Sequence, residues 1–164
     1  MVRVARFEKV SLRRFVTDWV ATFPQQTVEQ AVAAYERIRL PERATSGSAG
    51  YDLFAPVGFE LGAGEGIKIP TGLRVLIEEG WVLTIYPRSG LGFKYRFQLD
   101  NSVGVIDSDY AHSDNEGHIF MRMTNDNREG KSLLVPAGTA FAQGIFLPFG
   151  ITVDDDAQGV RNGG

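Results

Sequence analysis

The stretch Asn101-Ser-Val-Gly-Val-Ile-Asp-Ser-Asp-Tyr110 sets apolar strand formers on both sides of a single glycine. Val103, Val105 and Tyr110 favour extended chain, and Gly104 stands among them where a backbone can bend or a ligand can come close. Asp107 follows Val105 and Ile106 directly, an unusual setting for a carboxylate that nothing uses. Upstream, Pro87-Arg-Ser-Gly90 reads as a short loop carrying a cation, a hydroxyl and a flexible backbone. A carboxylate, a donor loop and a planar ring together suit hydrolysis of a phosphorylated nucleotide.

The same grammar extends outward. Nineteen glycines and seven prolines separate short runs rich in Val, Ile, Leu and Phe, which argues for many short strands joined by turns. Strands are expected at Val2 to Phe7, on either side of Thr71-Gly72 within Ile67 to Leu76, at Trp81 to Tyr86, His118 to Met123, Leu133 to Val135 and Ala140 to Pro148. Gly58 to Gly66 reads as a turn-rich connection. The first forty residues differ. Leu12, Phe15, Val16, Trp19, Val20 and Phe23 recur at three- and four-residue steps, and Thr27-Val-Glu-Gln30 fits a capping box ahead of a second apolar stripe at Val28, Ala31, Val32 and Tyr35. Pro24 separates the two. The inventory is an all-β barrel or sandwich with a helical insertion over residues 11–39, in one domain spanning 1–164, whose polar tail from 154 to 164 is expected to be mobile.

Seventeen basic against twenty acidic residues give a net charge of −3, which provides no basic face for duplex nucleic acid. A triphosphate can still be held by a few arginines, backbone amides and a divalent cation. The absence of cysteine excludes disulfides and thiolate metal sites. No apolar run reaches membrane-spanning length and no signal-peptide pattern opens the chain, so a soluble cytoplasmic protein without membrane or nucleic-acid partners is expected. Gly62-Ala-Gly-Glu-Gly66 lacks the Lys-Ser/Thr of a phosphate loop and reads as a turn. His112 and His118 are isolated, without a zinc-ligand pattern; Trp19 and Phe23 read as core, and Asp109 as a solvated turn carboxylate.

Five ordered segments carry a resemblance. Ala44-Thr-Ser-Gly-Ser-Ala-Gly-Tyr-Asp-Leu-Phe-Ala55, Pro87-Arg-Ser-Gly-Leu91, Asn101 to Tyr110, Gly138-Thr-Ala-Phe-Ala-Gln143 and the beginning of a fifth, Arg161-Asn-Gly-Gly164, are similar to the motifs of the trimeric deoxyuridine triphosphate nucleotidohydrolases (dUTPases). The resemblance implies a β-barrel of jelly-roll (β-clip) type and hydrolysis of dUTP to dUMP and pyrophosphate. It makes Asp107 the residue that orients and deprotonates the attacking water. Arg88, Ser89, Gly90, Gln143 and Arg161 become phosphate contacts, and Asn101, Gly104 and Val105 read uracil while Tyr110 packs on the deoxyribose. Mg²⁺ is implied, chelated by the substrate's three phosphates, with Asp52 nearby through water and no direct protein ligand. A homotrimer is implied too, with the uracil segment, the phosphate loop and the C-terminal arm of each site coming from different chains.

Three features depart from that pattern. Ala111-His112 follow Tyr110 and the next glycine is Gly117, which reshapes the loop; Ala140 stands where an arginine is usual; and the sequence stops before the segment whose phenylalanine caps uracil, as a truncated arm would. The helical insertion lies outside the motif set. Two further readings stay open: a dCTP deaminase-related enzyme, disfavoured because Arg122 in Met121-Arg-Met-Thr-Asn125 stands where its glutamate base belongs, and a non-catalytic nucleotide-binding or regulatory protein on the same scaffold.

Overall fold

Two-residue periodicity builds the sheets of this computed structural model, which describes residues 1–163. In Phe120–Asn125, Met121, Met123 and Asn125 point inward and Arg122 outward; in Leu133–Val135, Leu133 and Val135 are buried and Leu134 is exposed. In chain order the elements are β1 (Ala5–Lys9), α1 (Leu12–Thr22), α2 (Val28–Glu36), β2 (Tyr51–Phe54), β3 (Phe59–Leu61), β4 (Gly66–Pro70), β5 (Leu73–Ile77), β6 (Trp81–Pro87), α3 (Ser89–Tyr95), β7 (Phe97–Leu99), β8 (Gly104–Ile106), a 3₁₀ turn (Ser108–His112), β9 (Phe120–Asn125), β10 (Leu133–Val135) and β11 (Ala140–Pro148).

The strands pair antiparallel in the orders β2-β11-β6-β8, β4-β9-β7, β1-β5 and β3-β10. Most neighbours are distant in sequence, so the chain crosses repeatedly between sheets that share one hydrophobic cluster around Leu53, Ile69, Leu83, Ile85, Phe97, Met121, Met123 and Phe141. The fold is mainly β with a helical insertion. β4 and β5 adjoin at Thr71-Gly72 yet pair in different sheets, so that turn is a corner, taken by Gly72 at φ +74°.

The insertion sits on this corner. Ser11 caps α1 by accepting from the Arg14 amide at 3.1 Å, and the Thr27/Gln30 capping box forms as the sequence predicts. Phe15 and Trp19 are buried in the same cluster as the sheets, each such apolar side chain contributing roughly 1.5–3 kcal/mol. A Cβ on Gly72 would lie 2.2 Å from Ile38 Cδ1 and 3.1 Å from Phe15.

Some boundaries differ from the sequence reading. β1 begins at Ala5, three residues late. The connection from Gly58 to Gly66 contains β3, three residues long and anchored on β10. The expected Pro87–Gly90 loop is instead the end of β6 and the first turn of α3, with Arg88 at the N-cap. Asp107 lies just past β8 and opens the 3₁₀ turn, so its carboxylate is not on a strand. β7 and β8 belong to different sheets, β7 pairing with β9 and β8 with β6. Beyond Asp154 the described residues hold no helix or strand, but the segment is tied down where Asp114 N–H donates to Asn162 O at 2.9 Å.

Candidate active site

β8 is the edge of its four-stranded sheet, so the outer side of its backbone has no strand partner. Gly104 faces Ile85 across β6, where a Cβ would lie 3.1 Å from Ile85 Cβ; its small size is demanded by packing against the neighbouring strand. The tight turn before it is made by Ser102, at φ +67°. Under this edge lies a cleft of about 530 Å³ lined by Leu99, Asn101, Gly104, Val105, Phe120 and Met121 among others. It shares Lys68, Val105, Ile106 and Phe120 with a second cavity of about 580 Å³, which is lined also by Asp18, Asp107, Tyr110, Asn115 and Arg161. A cleft whose apolar side chains stand beside Lys68, Asp100, Asn101 and Arg122, along the unpaired edge of β8, thus adjoins a space holding a carboxylate and a guanidinium, the order in which base, sugar and α-phosphate follow one another.

Asp107 is half exposed and accepts from Arg161 Nη2 at 2.5 Å, while Arg161 Nε donates to Asp109 at 2.9 Å. The bond to Asp109 is the main reason the guanidinium's pKa is pushed up, with the charges of Asp109 and Asp107 adding to it. Asp109 is exposed in the 3₁₀ turn, as its local sequence indicates, and is in addition an ion-pair partner of the C-terminal arm. The arm makes these contacts within its own chain. Tyr110 stacks beside the arginine, 5.7 Å from guanidinium carbon to ring centre. Its hydroxyl donates to His118 O at 2.8 Å and accepts from Asn115 Nδ2 at 2.9 Å. Gly117, at φ +71°, closes the lengthened loop: a Cβ there would come within 2.8 Å of Tyr110 O and 2.6 Å of Ala111 Cα.

The other candidate residues gather elsewhere. β11 places Gln143 opposite Asp52 on one side and Tyr86 on the other, and Gln143 Nε2 donates to Pro87 O at 3.0 Å. Arg88 Nε lies 3.3 Å from Asp52 Oδ1. The first backbone bond of α3 runs from Gly92 N–H to Arg88 O, which leaves the amides of Ser89 and Gly90 without helical acceptors, and a Cβ on Gly90 would meet nothing within 4 Å. Asp52, Arg88, Ser89, Gly90 and Gln143 thus form a donor-rich patch around one arginine–carboxylate pair, exposed at Ser89 and Gly90.

Within one chain the two groups do not meet. Ile106 pairs with Leu83, so Asp107 is level with Val82, six residues along β6 from Arg88. At about 3.3 Å per residue this is roughly 20 Å. Among the described residues no group of three or more His, Cys, Asp or Glu side chains could hold a metal ion. The oxygen donors of Asp52 and the open space at Gly90 suit a hard cation that brings its own phosphate ligands. Asp18, Lys68, Asn115 and Phe120 line the cavity without having been marked by any local motif.

Residues 36–160 match the dUTPase family, beginning at the last residue of α2. The deoxyuridine 5'-triphosphate nucleotidohydrolase of Lactococcus lactis subsp. lactis is 43% identical over 122 residues, covering 74% of this chain and 80% of that protein. The enzyme of the same description from Mannheimia succiniciproducens is 44% identical over 112 residues, covering 66% of this chain and 70% of that protein. The crystal structure of dUTPase from Streptococcus mutans superposes with a TM-score of 0.64 at 34% identity, over 91% of this chain and 98% of that one. A mutant dUTPase from phage phi11 of S. aureus, whose structure describes a structural Mg(II) ion, has a TM-score of 0.66 at 19% identity and shares the fold. A match over most of the chain, relatives above 40% identity and the same arrangement of strands converge: the chain belongs to the dUTPase family.

Proposed function

We propose that the protein hydrolyses dUTP to dUMP and pyrophosphate, with Asp107 as general base. The observation that carries the reading is that the cleft along the β8 edge adjoins the cavity holding Asp107, Tyr110 and Arg161, with Lys68, Val105, Ile106 and Phe120 lining both. Uracil enters the cleft and pairs with outward backbone groups of β8 and with Asn101. Deoxyribose packs on Tyr110, and the α-phosphate comes to rest beside Asp107. The carboxylate takes a proton from water as the water oxygen bonds to the α-phosphorus; the α–β anhydride bond breaks and pyrophosphate leaves with its electron pair. Base assistance of this kind contributes about 10²–10⁴-fold. Before substrate binds, Arg161 neutralises Asp107; on binding it can transfer to the phosphates and release the carboxylate for the water.

Arg88, Ser89, Gly90 and Gln143 hold the β- and γ-phosphates, with Asp52 orienting Arg88. Mg²⁺ supplies charge neutralisation on the triphosphate when bound. The roughly 20 Å between Asp107 and Arg88 in one chain exceeds what two phosphoanhydride links can span. That gap supports a homotrimer in which the phosphate patch comes from a neighbouring copy. The reading places the enzyme in the cytoplasm, beside the nucleotide pool. Deamination finds no support: Arg122, where a base would be required, is exposed and paired with Asp100 at 2.9 Å.

Pyrophosphate release from dUTP, with UTP, dCTP and dTTP in parallel and Mg²⁺ varied, tests the proposal. Turnover of dUTP alone, dependent on the cation, is expected. Equal turnover of dCTP, or none of any nucleotide, would overturn it.

A further inference from the structure

The helical insertion, which lies outside the motif set, and the lengthened loop after Tyr110 meet each other. Glu116 of the loop accepts from Ser11 at the start of α1, from the amide at 3.1 Å and the hydroxyl at 2.7 Å. Two turns further along the same face, Asp18 reaches His118, with 2.5 Å between Oδ2 and Nδ1. Arg14 holds the same carboxylate from the preceding turn through Nε at 3.0 Å and Nη2 at 2.5 Å. His118 is fully buried, and its Nε2 accepts from the Gly72 amide at 2.9 Å. The Gly72 bond fixes the tautomer: Nδ1 carries the proton and donates it to Asp18. The backbone carbonyl of His118 is in turn the acceptor for the Tyr110 hydroxyl. Asp18 also lines the cavity that holds Asp107, Tyr110 and Arg161.

We propose that Asp18, brought by the insertion, is a positioning residue of the nucleotide site: through His118 it fixes the Tyr110 ring and so sets how strictly a ribose 2′-hydroxyl is rejected. The proposal rests on the reading of Tyr110 as the ring that faces the sugar. The rigidity argument is direct. Tyr110 has its hydroxyl committed to one acceptor and one donor, and both lie on the loop segment from Asn115 to His118. That segment is hydrogen-bonded to the insertion at Glu116–Ser11 and His118–Asp18, and the His118 ring also packs beside Phe15 of α1. Removing the Asp18 carboxylate leaves the Nδ1–H of His118 without its acceptor and takes away one of the contacts that hold the residue whose carbonyl accepts from Tyr110. A ring free to shift gives space to an added hydroxyl, whereas turnover of the deoxy substrate depends less on that exclusion.

The test compares kcat/KM for dUTP and UTP in the full-length protein. In Asp18→Ala the dUTP-over-UTP preference is expected to fall by about tenfold or more, whereas Asp18→Asn, which keeps an acceptor for His118, restores it to within about threefold. Gln26→Ala serves as the control, because it removes the 2.7 Å bond to Trp19 elsewhere on the insertion and should lower stability without altering the preference. If Gln26→Ala relaxes the preference as much as Asp18→Ala does, the effect is general loosening and the proposal is overturned. Tyr110→Ala separates the two levels. A preference lost in Tyr110→Ala but intact in Asp18→Ala overturns the positioning role alone, and one intact in Tyr110→Ala overturns the sugar-facing reading beneath it. Should Asp18→Ala not fold, Asp18→Leu, which fills the space but offers His118 no acceptor, is read in the same way: a preference reduced several-fold supports the proposal and an unchanged one overturns it.

Discussion

His118 has both ring nitrogens committed in the fully buried state, Nε2 as acceptor from Gly72 and Nδ1 as donor to Asp18. Burial lowers its pKa, against the opposing hydrogen bond and charge of Asp18, with Arg14 lowering it further and Glu116 raising it. A second proton would set an N–H at Nε2 against the Gly72 N–H. The unfolded chain therefore binds this proton more readily than the folded one. The stability contribution is complete above the unfolded value near 6.5 and is lost as pH falls through the depressed folded value. Melting temperatures from pH 8 to pH 5 should decline on the acid side, and the decline should shrink in His118→Gln; an identical acid limb in the variant would assign it to other groups. Asp107 belongs to the same scale but to chemistry. Asp107→Asn is expected to lower turnover of dUTP by about 10²–10⁴-fold while calorimetry still detects a non-hydrolysable dUTP analogue. Unchanged turnover would remove the carboxylate from its role as base.

Two glycines show how elements divide the work between stability and ligand access. Gly72, at the corner between β4 and β5, has φ +74° and no room for a Cβ beneath Ile38 and Phe15, so Gly72→Ala should cost about 2–5 kcal/mol in urea unfolding. Gly90, in the first turn of α3, has neither constraint. Gly90→Ala should change stability by no more than about 0.5 kcal/mol yet reduce turnover, because its methyl group takes the space proposed for phosphate. The same elements show what a sequence can disclose. β10 and β11 coincide with their apolar runs, and the Thr27/Gln30 box is local enough to be recognised on sight. β3 is too short to display a period, and its existence depends on pairing with β10, more than seventy residues away. α3 contains Gly90 and Gly92, poor helix formers whose conformation is set by the packed chain around them. The ion pair of Asp109 has no local signal because Arg161 lies 52 positions away, and the role of Asp18 has none because His118 lies 100 away. Motifs disclosed most of the candidate site; the bracing between segments far apart in the sequence had no local signature.

At the scale of the whole molecule, the separation of Asp107 from Arg88 along β6 makes a single chain an incomplete enzyme on the proposed reading. Phe93, on α3 beside the phosphate patch, is 91% exposed, an apolar ring that a neighbouring copy would cover while bringing its own Asp107 to that patch. The arrangement can be distinguished from a self-contained site by mixing defects. Asp107→Asn and Arg88→Ala should each lose most activity when produced alone. If every site takes its carboxylate from one chain and its phosphate arginine from another, random co-assembly of equal amounts leaves about a quarter of the sites with both groups intact. Co-expressed variants, purified through two different tags to select mixed oligomers, should therefore regain a substantial part of wild-type pyrophosphate release. If both groups serve the same chain's substrate, every site in the mixture carries one defect, and activity stays at the level of the single variants. Recovery in the mixture, together with none when the separately purified variants are combined without exchange, is the outcome required of a shared site.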